Sequence, residues 1–94
     1  MSRKEFENRL EEFQEKVGML KIVVGYEAFA DFTIGCFFDF ETGKWKVYRN
    51  EERGIHIIRL ETEDEEEAFE ALFSMVNFNI KLQERLKKRN LRKK

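Results

Sequence analysis

The chain has no proline, one cysteine, one histidine and only two serines among 94 residues, and each shortage removes a class of chemistry. Cys36 alone forms no internal disulfide, which suits a reducing compartment. A zinc site needs several thiol or imidazole ligands, and Cys36 and His56 supply one of each. A Ser-His-Asp arrangement has no support, because Ser2 stands where a helix cap is expected and Ser74 falls inside a helical pattern. Cys36 with His56 is the one remaining nucleophilic pair. However, Cys36 sits among the apolar residues of a strand pattern, where cysteine behaves as a small buried hydrophobe, and His56 lies in an isoleucine-rich strand. The five glycines never form a phosphate-binding fingerprint. The acids of 61–67 lack the spacing and central glycine of a calcium loop, and nothing singles out a carboxylate pair for acid–base work. The expectation is a protein without cofactor or metal, and not an enzyme. No apolar run is long enough to span a bilayer. The charged opening Met1–Glu7 does not read as a signal peptide. No membrane role is expected, and the expected location is the cytoplasm.

What the chain does have is packing material. Hydrophobic residues make up 41%, charged residues 39%, and there are ten phenylalanines. A chain this aromatic buries enough surface to offset its ordering entropy, so residues 1–94 are expected to form a single globular domain. The net charge of −1 conceals a gradient. Residues 61–70 carry acids with no base, whereas 81–94 hold eight of the eighteen Lys and Arg and one acid, Glu84. Residues 87–94 form a basic tail into which the last helix is expected to fray.

Ser2 with Glu5 reads as a capping box. Phe6, Leu10, Phe13 and Val17 then recur at helical spacing until Gly18, predicting a helix over 3–17. Leu20, Ile22, Val24 and Tyr26 alternate with Lys21, Val23, Gly25 and Glu27, and Phe32, Ile34, Cys36, Phe38 and Phe40 with Thr33, Gly35, Phe37 and Asp39. Glu41–Lys44 supplies a hairpin turn into a strand over 44–50, and Glu51–Gly54 turns into another over 55–61. Thr62 with Glu65 reads as a second capping box. Ala68, Phe69, Leu72, Phe73, Val76 and Ile80 predict a helix from about 63 to the mid-80s. Short connections favour an antiparallel meander. The predicted fold is therefore a two-layer α+β domain, α-β-β-β-β-α, with a four-stranded antiparallel sheet and both helices on one face. Its expected core is Phe6, Leu10, Phe13, Leu20, Ile22, Val24, Ile34, Cys36, Phe38, Trp45, Val47, Phe69, Leu72, Phe73 and Val76.

Parity sends Lys21, Val23, Gly25, Thr33, Gly35, Phe37 and Asp39 to the face away from the helices, together with Lys46 and Tyr48. A face that carries Val23, Phe37 and Tyr48 within a charged rim suits a protein partner. The basic tail offers a different reading, a small nucleic-acid-binding domain that tracks phosphates. Against it, cations at a helix C-terminus also complement the macrodipole, and the acidic patches repel a nucleic-acid backbone.

Trp45-Lys-Val-Tyr48, followed by Glu52-Arg-Gly54 and the acidic, aromatic helix start Asp64–Phe69, resembles the small bacterial immunity proteins encoded beside polymorphic or contact-dependent toxins. That resemblance implies a non-enzymatic inhibitor that binds one cognate toxin domain and blocks its active site or substrate channel. The acidic loops Glu27–Asp31, Asp39–Glu41 and Asn50–Glu52 agree with such a role, since they steer a basic partner. The residues expected to bind are Glu27, Asp31, Phe37, Asp39, Tyr48, Glu51, Glu52 and Arg53, with Phe37 and Tyr48 as apolar anchors. The pattern leaves open whether the chain is a monomer or a homodimer.

Overall fold

A computed structural model describes residues 1–92. The elements are α1 (Arg3–Asn8), α2 (Leu10–Lys16), β1 (Lys21–Val24), β2 (Thr33–Asp39), β3 (Lys44–Asn50), a 3-10 turn (Glu52–Gly54), β4 (His56–Thr62) and α3 (Glu65–Arg92). This is a small α+β fold with one four-stranded sheet in the order β1-β2-β3-β4. Of the basic tail, the backbone through Arg92 continues α3, and residues 93–94 lie outside the described residues.

The sheet is mixed, which corrects the all-antiparallel expectation. β2–β3 and β3–β4 are antiparallel, but β1 runs parallel to β2, pairing Lys21 with Thr33 and Val24 with Cys36. A parallel pair ordinarily needs a crossover of a dozen residues or more. Here β1 has only four residues, so the chain returns along a short strand. The segment 25–32 can span up to about 26 Å when extended, which is ample. Gly25 starts the reversal at φ +98, a conformation that favours glycine.

The predicted first helix is also broken. Arg9, with φ −107 and ψ 5, ends α1 and begins α2. Along a straight helix Phe6 and Phe13 would stand about 10 Å apart, and the bend lets their rings meet at 5.3 Å. The Arg9 guanidinium lies 4.7 Å from the centre of the Phe13 ring. Ser2 caps α1 as expected, its Oγ accepting from the Glu5 N–H at 3.1 Å. At α3 the cap is Asp64 instead of the Thr62–Glu65 box, because its carboxylate accepts the Glu66 N–H at 2.9 Å.

All three helices pack on the same face of the sheet. Phe6, Phe13 and Val17 meet Ile34, Cys36, Trp45 and Val47 across Ala68, Phe69, Leu72 and Val76, all buried. Burying each large side chain contributes roughly 1.5–3 kcal/mol. Leu10, Val24, Phe38 and Phe73, also expected in the core, are only partly buried at its margin. The free edge of β1 is closed by a side chain: Gln14 donates to the Leu20 carbonyl at 2.6 Å and accepts from the Ile22 N–H at 3.0 Å. That amide occupies the place of a neighbouring strand and blunts an edge that would otherwise invite pairing.

Between β3 and β4 the register slips, so that Val47 faces Leu60 while Tyr48 faces Ile58. Arg59 is left over as a bulge. The slip keeps Leu60 with the helices, yet turns Ile58 and His56 to the opposite face, beside Tyr48 and Asn50.

Candidate protein-binding surface

The face away from the helices is not open, as parity alone predicted, but roofed by the crossover 25–32. The arrangement starts at Gly35, which pairs with Tyr48 across β2 and β3. A β-carbon at Gly35 would lie 2.5 Å from Tyr48 Cζ, so glycine is what lets the ring lie flat over β2. Tyr48 is thereby fully buried. Its Oη donates to the Tyr26 carbonyl and accepts from the Ala28 N–H, both at 3.0 Å. Burial pushes the phenol above its ordinary pKa, so the hydroxyl keeps the proton it donates.

Asn50 continues the clamp. Its Nδ2 donates to the carbonyls of Ala28 at 2.8 Å and Ala30 at 2.9 Å. With both amide hydrogens committed, Oδ1 can only accept, and it faces His56 Nδ1, which therefore carries a hydrogen. The other ring nitrogen, Nε2, lies 2.9 Å from Glu27 Oε2. The His56 ring sits between two aromatics, with centroids 4.7 Å from Phe29 and 5.2 Å from Tyr48. Farther along, the Asp31 carboxylate accepts from the backbone N–H groups of Arg53 and Gly54 at 3.3 and 3.2 Å. Those two residues have φ +63 and +75, so Asp31 also holds a left-handed turn that costs Arg53 free energy.

The loop therefore presents its outward side chains from a fixed backbone. Tyr26 is 62% exposed and Phe29 65%. From the same loop Glu27, with Phe37, Asp39, Phe40, Glu41 and Lys46, surrounds a hollow of about 410 Å³, and Phe40 on its rim is 89% exposed. Lys46 Nζ meets Asp39 Oδ2 at 2.7 Å. That bond, with the Glu41 N–H, holds the Asp39 carboxyl below its ordinary pKa, and the same carboxylate raises Lys46. Three acids against one cation make the lining of this hollow acidic.

The expected binding residues thus divide. Glu27, Phe37 and Asp39 gather at the acidic hollow. Glu51, Glu52 and Arg53 line a second hollow of about 540 Å³ at the other end of the sheet, with Phe32, Arg49 and Ile55. Asp31 ties the loop to that second end. Tyr48, expected as a surface anchor, lies beneath the loop and holds it in place, because its ring fills the space over Gly35. Asn50 and His56 were missing from the expected set, as were the exposed Tyr26, Phe29 and Phe40. The available signal was three side chains able to hydrogen-bond, Tyr48, Asn50 and His56, at the facing ends of β3 and β4.

Cys36 and His56 do not form a pair: Cys36 lies in the helix-side core, where burial pushes its thiol up to about 12, and His56 lies on the loop side. Among the described residues no three His, Cys, Asp or Glu side chains gather so as to hold a metal, and no helix is long and apolar enough to cross a membrane. Compared with protein-family models, with curated proteins and with solved structures, the chain matches none.

Proposed function

We propose that this chain is a non-enzymatic immunity protein that binds one cognate toxin domain and neutralises it by covering its active site or substrate channel. The observation that carries this reading is the clamped crossover loop, which holds Tyr26 and Phe29 exposed and whose Glu27 lines an acidic hollow rimmed by Phe40. Aromatic side chains on a backbone already fixed by four hydrogen bonds to Tyr48 and Asn50 lose little freedom on binding. They are the residue types that form interface hot spots. Glu27, Asp39 and Glu41 steer a basic surface toward them, as a nuclease domain would present to its polyanionic substrate. Glu51, Glu52 and Arg53 form a second charged rim, used if the partner reaches across the loop. The resemblance of Trp45–Tyr48 and the segments after it to immunity proteins points the same way.

The test is co-expression with the toxin domain encoded beside this chain, followed by titration of the purified pair. Protection should require one equivalent or more of this chain. Tyr26→Ala and Phe29→Ala should each weaken the complex by about 1–2 kcal/mol without unfolding the protein. Protection at sub-stoichiometric amounts, or no complex at all, ends the proposal. A second reading, nucleic-acid binding, draws on Lys81, Arg85, Lys87 and Lys88, which are exposed along α3. It requires RNA or DNA affinity that falls steeply with added salt.

A further inference from the structure

From the solvent face of α3 we infer that this chain pairs with a second copy of itself through that helix, antiparallel, about a two-fold axis near Phe78. The inference does not rest on the toxin reading. α3 has 28 residues and so runs about 42 Å, far beyond strands of seven residues that extend about 23 Å. Its inner side is spent on the core. Its outer side carries Ser74, Phe78, Lys81, Leu82 and Arg85 at spacings of three and four, a single stripe with half-buried Ala71 at its margin. Phe78 is 61% exposed and Leu82 41%, and the four residues from Phe78 to Arg85 enclose a shallow hollow of about 80 Å³. Two large apolar side chains exposed side by side on one helix face, Phe78 and Leu82, are unfinished packing.

Charge and size decide the occupant. The stripe is acidic at its start, with Glu67 and with Glu70, whose carboxylate already holds the Met1 ammonium at 2.7 Å, small at Ala71 and Ser74, and basic at its end, with Arg85 and Lys88, all of the charged ones exposed. Turned about an axis at Phe78, residues equidistant from it in sequence face one another. Leu82 of one copy then covers Ser74 of the other, and Arg85 crosses at Ala71. Arg85 and Lys88 come beside Glu67, large against small and base against acid at both ends. A parallel pair would set each charge against its own kind, which is destabilising. One helix pair is small beside stable interfaces, so the dimer should be weak, with a Kd on the order of micromolar or above.

Sedimentation equilibrium of the full chain over a wide concentration range reads this directly. The expected result is a reversible monomer–dimer equilibrium, abolished by Phe78→Asp or Leu82→Asp while the circular dichroism spectrum stays unchanged. Arg85→Glu should weaken it at least about tenfold, and Glu67→Arg combined with Arg85→Glu should restore it, because the swap preserves complementarity. Orientation follows from a short bismaleimide cross-linker, with buried Cys36 out of reach. Phe78→Cys should cross-link to itself. Ser74→Cys should cross-link only to Leu82→Cys in a mixture of the two. A chain that stays monomeric at its highest soluble concentration overturns the inference. So does Ser74→Cys linking to itself, or a dimer that survives Phe78→Asp. A monomer that instead takes up a short RNA through Arg85 would also overturn it and give the face to nucleic acid.

Discussion

Phe69 and Tyr48 are both completely buried, yet on opposite faces of the same sheet, and what surrounds them differs in kind. Phe69 lies among rings, with centroids 5.8 Å from Phe6 and 5.6 Å from Trp45. Its stabilisation is area removed from water, insensitive to direction. Tyr48 lies under a single segment of chain that has no regular structure, whose backbone groups have no ladder to join. Those groups are satisfied by Tyr48 and Asn50 side chains instead. The helix side is closed by volume and the loop side by hydrogen-bond geometry. A loop fixed in this way can hold aromatic side chains in water, which a hydrophobic layer would have drawn inward.

Truncation should separate the two kinds of closure. Phe69→Ala is expected to cost about 3–5 kcal/mol in urea unfolding, since it leaves a cavity walled by α1 and β3. Phe38→Ala should cost about half of that, because Phe38 sits at the margin of the core, where its cavity opens to solvent. Equal losses from the two would mean that the core extends past β2 toward Phe40, and the contrast between margin and centre would fail.

On the loop side the largest effect should come from adding one carbon. Gly35→Ala brings a methyl against the Tyr48 ring, which is held by its own hydrogen bonds and cannot yield. We expect a loss of about 1–3 kcal/mol. Hydrogen exchange should show residues 26–30 opening while β3 stays protected. Tyr48→Phe keeps the ring and removes only Oη, leaving the Ala28 N–H and Tyr26 carbonyl without partners. It should cost about 1–2 kcal/mol, again with exchange accelerated in the loop alone. If either variant destabilises the whole domain uniformly, the loop is part of the core and the two faces are one cooperative unit.

Which of this the sequence disclosed follows from the same contrast. Helical spacing and strand alternation report where apolar area goes, and they located α3, β3 and the helix-side core, including Cys36 and Trp45. They carry no information on strand direction, so the parallel β1–β2 pair was lost, and with it the crossover loop that lies over Tyr48. Parity placed Phe37 and Tyr48 on the correct face but left that face bare. The place of His56 beside Tyr48 and Asn50 was hidden for a more local reason. Without the bulge at Arg59 it would share a face with Leu60, and a bulge leaves no mark on hydrophobic periodicity. The eight expected binding residues were chosen as surface acids, aromatics and one arginine. Seven remain at or near the surface, whereas Tyr48 supports it from below.

The smallest effect, and the finest probe of the acidic end, is the pH response of Asp39. Its carboxyl is held below the ordinary aspartate range of about 4, first by the Lys46 ammonium and then by the Glu41 N–H. The unfolded chain therefore takes up this proton at a higher pH than the folded one. Linkage fixes the sign: the stabilisation is complete above the ordinary aspartate pKa and is lost as pH falls through the depressed folded value. Lys46, raised by the same partner, behaves as the mirror image. Its share is complete below the ordinary lysine range and is lost as pH climbs past the raised value. Asp39→Asn should thus lower the melting temperature slightly at neutral pH, and the gap from the parent protein should close below about pH 4 and narrow again in strong base. Melting curves recorded from pH 2 to 11 will show this convergence. A constant gap at every pH would mean that the Asp39 carboxylate and Lys46 contribute through hydrogen-bond geometry at the turn, with no electrostatic coupling between them.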